Sequence, residues 1–294
     1  MINEADKLPR RQIQVAGHSM SLVDVGEGPP VYFLHGNVTY SYTWRNIIPF
    51  VSLRYRCIAP DRIGMGDSEL EFPSGSGSYR FDDGVESLEL LVELTEPERP
   101  IVLVGHELGA ATAIEYARRN PDRVASLVLI EGVFRVTNDT LFDPDLRDLL
   151  LAARSEEGEH LVMEENVLID RYLPRLTLRV LSAAEIDSYR RPFPKPGEPR
   201  RALLSLIRQL PIQSTPGPID GLVEANRLWC SQSPIPKFVV GGVPGHLVPP
   251  AVLGTAARWK KTEVASVPGL HFLTEDSPAR LTALLIDWLE AIGF

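Results

Sequence analysis

The feature that most constrains this chain is an apolar run that breaks into a glycine-flanked turn and continues as a helix. Val102-Leu103-Val104-Gly105-His106-Glu107-Leu108-Gly109-Ala110-Ala111 has the outline of a strand, a tight turn and a helix in immediate succession. Small residues on either side of the apex permit a strained strand-to-helix turn that lifts one side chain into a pocket, the arrangement called a nucleophile elbow. Serine, aspartate or cysteine ordinarily stands at such an apex. Here the apex is Glu107.

Around this turn, strand-like and helix-like patterns alternate. Apolar, β-branched runs occur at 13–15, 21–25, 31–34, 56–59, 101–104, 125–130, 237–240 and 263–267. Helical patterns lie between them at 82–94, 108–119, 251–259 and 278–292, the last with Ser277 placed to cap it and Pro278 in its first turn. Such alternation predicts an α/β chain, a mostly parallel eight-stranded sheet with helices on both faces. Ligands of such sheets bind beyond the carboxyl ends of the strands.

Across 136–218 the pattern changes: strand-like runs vanish, charged helical segments appear, and prolines gather at Pro192, Pro194, Pro196, Pro199, Pro211, Pro216 and Pro218. We read 136–218 as a helical cap inserted after the sixth strand. Residues 1–135 and 219–294 then form one core, because the sheet pattern resumes with Ile235-Pro236-Lys237-Phe238-Val239-Val240.

At 294 residues, 44% hydrophobic and 23% charged, the chain suits one large core with an insertion. The net charge of −9 argues against nucleic acid or an anionic membrane surface as a partner. Neither a signal peptide nor a membrane span of roughly 18 apolar residues is expected. Cys57 and Cys230 lie far apart in apolar settings and read as free structural thiols, which suits a reducing cytoplasm. No cofactor is expected, since no metal-ligand spacing and no dinucleotide fingerprint occurs. The expected partner is a small-molecule substrate, and the expected state a monomer or homodimer.

Three segments carry a specific resemblance. They are His35-Gly36-Asn37-Val38-Thr39-Tyr40-Ser41-Tyr42-Thr43-Trp44, Pro60-Asp61-Arg62-Ile63-Gly64-Met65-Gly66-Asp67-Ser68, and the elbow itself. Together with Tyr189-Arg190-Arg191-Pro192-Phe193 in the cap and Val267-Pro268-Gly269-Leu270-His271-Phe272 near the end, they resemble the haloalkane dehalogenases, an α/β-hydrolase family. The match runs from about 29 to 287 and lies closest to the subfamily whose catalytic acid is a glutamate after the sixth strand. The resemblance implies the α/β-hydrolase fold with a helical cap.

It also implies roles. In that family an elbow aspartate attacks carbon and expels halide, and a histidine oriented by a carboxylate then activates the water that hydrolyses the ester. Carried over, the base is His271 and the orienting acid is Glu131, because Gly241-Gly242-Val243-Pro244-Gly245-His246 after the seventh strand contains no acid. His246 reads as a loop residue. Asn37 corresponds to a halide-holding residue, and its neighbouring backbone N–H with that of Leu108 would form an oxyanion hole. The plainer role for Asn37 is closing the turn after the third strand. Tyr172 and Tyr189 in the cap are candidate substrate contacts or packing residues. Asp61, His35 and His106 read as structural.

Two departures bear on the chemistry. Glu107 replaces aspartate, which lengthens the arm by about 1.5 Å. Leu108 stands where the family has a tryptophan whose indole N–H is the second halide donor, and leucine has no side-chain donor. The expectation is a cofactor-free hydrolase of small or medium apolar substrates, poor at ordinary dehalogenation, with Glu107 as nucleophile. One alternative is a lyase or other non-covalent catalyst in which Glu107 or His271 accepts a proton. Another is a catalytically silent ligand-binding homologue.

Overall fold

The computed structural model describes residues 2–71 and 73–294. Eight strands are present: β1 (Arg10–Val15), β2 (His18–Val25), β3 (Pro30–Leu34), β4 (Arg56–Pro60), β5 (Ile101–His106), β6 (Val124–Ile130), β7 (Lys237–Pro244) and β8 (Thr262–Gly269). They form one sheet in the order β1-β2-β4-β3-β5-β6-β7-β8. β2 runs antiparallel to β1 and β4, and every other pairing is parallel.

The central strands are apolar along their whole length because both faces of the sheet are covered. Their side chains divide by alternation. Tyr32, Leu34, Leu103, Leu127 and Leu129 join one core, with Val85, Leu88 and Leu91 of the Phe81–Leu94 helix and Ile114 of the Leu108–Arg119 helix. Val31, Phe33, Val102, Val104, Val128 and Ile130 join the other, with Leu281, Leu285 and Trp288 of the Pro278–Ala291 helix. The period of two thus sends successive residues of one strand into different hydrophobic layers.

Ser277 does not cap the last helix. Its hydroxyl donates to the Pro268 carbonyl at 2.6 Å, and its side chain makes no capping bond. The helix is tied to the sheet lower down, where Trp288 Nε1 donates to Ser126 Oγ at 3.0 Å. Between β6 and β7 the chain is helical apart from isolated bridges at Thr137, Ile212 and Thr215. The Pro144–Arg154, Ala183–Arg190 and Arg201–Gln209 helices belong to this stretch, and its prolines fall outside their interiors. Both cysteines are buried and free.

After β3 the chain builds outward in one direction to β4, and β5 then begins the other direction. That reversal opens a crevice at the carboxyl ends of β3 and β5, the place where open α/β sheets bind ligands. The loop after β3 and the elbow after β5 meet there through glycines. A Cβ on Gly109 would stand 2.1 Å from the Leu34 carbonyl oxygen, and one on Gly105 2.5 Å from the Ala110 backbone. Gly109→Ala is therefore expected to destabilise the protein by about 2 kcal/mol or more, through backbone overpacking. Urea unfolding of the variant beside the wild type measures it.

Candidate active site

Glu107 takes the strained conformation that its neighbours demand, with φ 53° and ψ −119°. A side chain at positive φ is costly unless the surroundings over-determine it. They do here, because the β5 ladder ends at His106 and the next helix begins at Leu108. Gly36 completes the fit: a Cβ there would lie 2.4 Å from Glu107 Oε2.

The carboxylate is held asymmetrically. Oε2 accepts the backbone N–H groups of Asn37 and Leu108, each at 2.7 Å. Oε1 has no protein donor among the described residues. Burial pushes the Glu107 pKa up to about 7, against the pull of those two N–H groups and of the positive charge on Arg62. Near neutral pH the side chain thus exists in both protonation states.

Glu131 also has positive φ, 42°, directly after β6. Oε1 accepts the N–H of Gly242 at 2.9 Å, and Oε2 accepts those of His246, Leu247 and Val248 at 3.1, 2.7 and 3.3 Å. The carboxylate thereby organises the loop after β7. His271 Nδ1 lies 3.6 Å from Glu131 Oε2, outside hydrogen-bond reach, and has no other partner among the described residues. Burial pushes the His271 pKa down to about 3, so the ring is neutral, the form a base needs.

His271 is positioned from behind. His106 Nε2 donates to the His271 carbonyl at 2.9 Å, and the two rings are 4.6 Å apart. His35 Nε2 accepts the Arg62 backbone N–H at 3.0 Å, so its Nδ1 carries the proton given to the Gly36 carbonyl at 2.8 Å. Both histidines anchor turns.

Asn37, Glu107, Tyr172, His246 and His271 share a pocket walled by Phe142, Leu150, Ile207, Leu210 and Ile212. Its volume is about 20 Å³, room for one water. These five apolar walls come from between β6 and β7, and Val38, Leu247 and Phe272 of the core complete the lining.

Residues 29–159 match the family model described as alpha/beta hydrolase fold. A haloalkane dehalogenase of Sphingobium indicum is 39% identical over 276 residues, covering 94% of this chain and 93% of that one. The chain belongs to the haloalkane dehalogenase family. A second dehalogenase, from Mesorhizobium japonicum, is 37% identical over 289 residues, 96% of this chain and 92% of its own. Among solved structures, the haloalkane dehalogenase DatA of Agrobacterium tumefaciens superposes with a TM-score of 0.90 at 29% identity, covering 98% of both chains. DbeA of Bradyrhizobium elkani also gives 0.90, at 33% identity over 98% of this chain and 99% of that one.

Within this haloalkane dehalogenase framework the positions read from sequence separate into two groups. Asn37, Glu107, Tyr172 and His271 meet at the pocket, with Glu131 immediately behind His271. Asn37 lines the pocket, and its Oδ1 accepts the adjacent Val38 N–H at 2.8 Å. Its Nδ2 donates to the Leu203 carbonyl at 3.3 Å. Leu108 reaches the site through its backbone N–H alone, for its side chain is buried and absent from the pocket lining.

Tyr189 lies elsewhere. Its hydroxyl donates to Glu275, inside a buried network in which Arg45 and Arg179 both bind Glu185 and Glu275. Aromatic rings of Tyr40 and Tyr42 pack edge-on against it. It joins core to helical segment and does not contact the pocket. His246, set aside in the sequence as a loop residue, lies in the pocket wall, stacked on Phe142 at 4.0 Å and edge-on to His271 at 5.5 Å. The signal available was its place just past β7, which extends to Pro244.

Because Glu107 ionises near pH 7 when folded and about 4.5 when unfolded, the folded state holds the extra proton between those values. The group's contribution to stability is full below pH 4.5 and is lost as pH rises through 7. Glu107→Gln abolishes this dependence. Relative to the wild type, the variant should gain roughly 3 kcal/mol between pH 4 and pH 8, read as diverging urea midpoints across that range.

Proposed function

We propose that this chain is a cofactor-free hydrolase that works through a covalent ester on Glu107, with His271 as base and Glu131 as its electrostatic partner. The observation that carries the reading is the split carboxylate, with Oε2 fixed by two backbone N–H groups and Oε1 free at the pocket. A nucleophile needs one oxygen aimed and the other restrained.

In the first step Glu107 Oε1 attacks an electrophilic carbon of a small or medium apolar substrate. The bond to the leaving group breaks, and that group departs with the electron pair. In the second, His271 takes a proton from water as the water oxygen bonds to the Glu107 carboxyl carbon. Negative charge then develops on Oε2, already against the Asn37 and Leu108 N–H groups. Collapse breaks the bond from the carboxyl carbon to Oε1 as the His271 imidazolium returns its proton to the departing oxygen, which frees the product alcohol; Glu107, now carrying the water oxygen, releases the remaining proton to solvent. The imidazolium formed on His271 is stabilised by Glu131, and the attraction draws the pair together from its resting 3.6 Å.

The leaving-group side is weaker than in a dehalogenase with two side-chain donors. Leu108 offers none, and the Asn37 amide already donates to Leu203. Halide release from bromo-, iodo- and chloroalkanes is accordingly expected to stay well below an ordinary turnover of ~1 s⁻¹, and release at that rate across the panel would refute the loss of the halide clamp.

A second reading rests on the elevated Glu107 pKa, which suits a general base acting at neutral pH. Intact-protein mass spectrometry of His271→Ala separates the two. Covalent catalysis leaves an ester on Glu107 whose mass equals the substrate less its leaving group. A general base leaves the mass unchanged.

A further inference from the structure

Beside the catalytic pocket, and sharing no lining residue with it, lies a larger cavity of about 410 Å³. It opens between the ends of β2, β3 and β4 and the Phe81–Leu94 helix. The volume falls within the roughly 300–1,000 Å³ of small-molecule sites. Its walls are mixed: Met20, Leu34, Leu88, Leu91 and Leu206 are buried apolar side chains, and polar and charged groups line the rest.

Two arginines line this space: Arg80, which is exposed and paired with Asp82, and Arg62. Arg62 rests its guanidinium on the bare backbone of Gly84, where a Cβ would stand 2.1 Å from Nη2 and 2.5 Å from Cζ. Its single side-chain hydrogen bond runs from Nη1 to Thr112 Oγ1 at 3.2 Å. Among the described residues no carboxylate lies within ion-pair distance of it, whereas most other arginines of the chain are paired. Burial pulls its pKa down to about 10, which leaves it charged at neutral pH.

The acids around the cavity do not supply the missing partner. Glu71 accepts from Ser78 Oγ at 2.8 Å and from the Tyr79 N–H at 3.3 Å. Asp83 accepts the Arg80 N–H at 2.7 Å and is exposed, as is Glu86. The Arg62 guanidinium is half-buried, most of its five donors have no protein acceptor among the described residues, and its planar fork matches a carboxylate with two parallel bonds.

We propose that this cavity is a second binding site, for an organic carboxylate with an apolar tail of medium length. The carboxylate pairs with Arg62 while the tail lies along Met20, Leu88, Leu91 and Leu206. Thr112 Oγ1, which donates to the Leu108 carbonyl at 3.0 Å, links the guanidinium to the first turn of the elbow helix.

Calorimetric titration of the full chain with octanoate and with octan-1-ol tests the proposal. Octanoate should bind at one saturable site and at least tenfold more tightly than octan-1-ol. Arg62→Gln should weaken octanoate at least tenfold and bring the two ligands level. Gly84→Ala, which pushes against the guanidinium, should weaken octanoate severalfold, with folding of both variants checked by circular dichroism. Glu107→Gln should leave octanoate affinity unchanged or slightly tighter. Equal binding of acid and alcohol by the wild type overturns the proposal without any variant. So does absent or non-saturable octanoate binding, full octanoate affinity in folded Arg62→Gln, or octanoate binding lost in Glu107→Gln and kept in Arg62→Gln.

Discussion

The site depends on a backbone constraint, the close approach of the loop after β3 to the turn after β5. Gly36, Gly105 and Gly109 leave no room for a Cβ, and each gap is filled by a neighbouring main-chain atom or by Glu107 itself. This packing holds Glu107 at positive φ. It also aims the Asn37 and Leu108 N–H groups at one oxygen of its carboxylate. The longer glutamate arm is accommodated by a local seat for Oε2, with no visible break in the strand, turn or helix around it.

Charge around that seat is managed mainly by burial and backbone dipoles. His35, His106, His246 and His271 are all pushed down to about 3 by desolvation and remain neutral together. Glu131, also desolvated, is held by the Gly242 N–H of β7 and by three backbone N–H groups of the loop that follows it. Its position 3.6 Å from His271 is therefore fixed by a loop, which makes the pair a product of sheet geometry more than of mutual attraction. Arg45, Arg179, Glu185 and Glu275 form a buried network that fastens the helices after β6 to the core. The stretch after β6 supplies five of the apolar walls of the pocket, Phe142, Leu150, Ile207, Leu210 and Ile212.

Much of this was legible in the chain itself. Each of the eight strands overlaps one of the apolar runs, and the buried parallel strands among them need near-continuous hydrophobicity. The strand ends were less legible. β7 continues through Gly241, Gly242, Val243 and Pro244, residues that do not look like strand but pair with β8 over their whole length. That extension carries His246 into the pocket wall, which no local pattern announces. Ser277 before Pro278 has the composition of a helix cap, yet a nearer acceptor, the Pro268 carbonyl, takes its hydroxyl.

By itself the sequence determined the layered α/β architecture, the strained turn at Glu107, the absence of a side-chain donor at Leu108, and the order of Glu107, Glu131 and His271 along the chain. These follow from periodicity, from glycine placement and from side-chain chemistry, all of which are local. Only the tertiary structure decided that Tyr172 faces the pocket while Tyr189 joins an ion network. It also decided that Glu131 stands 3.6 Å from His271, and that Arg62 faces a cavity without a carboxylate partner. Those outcomes depend on which elements distant in the chain pack together, and on how burial redistributes charge once they do.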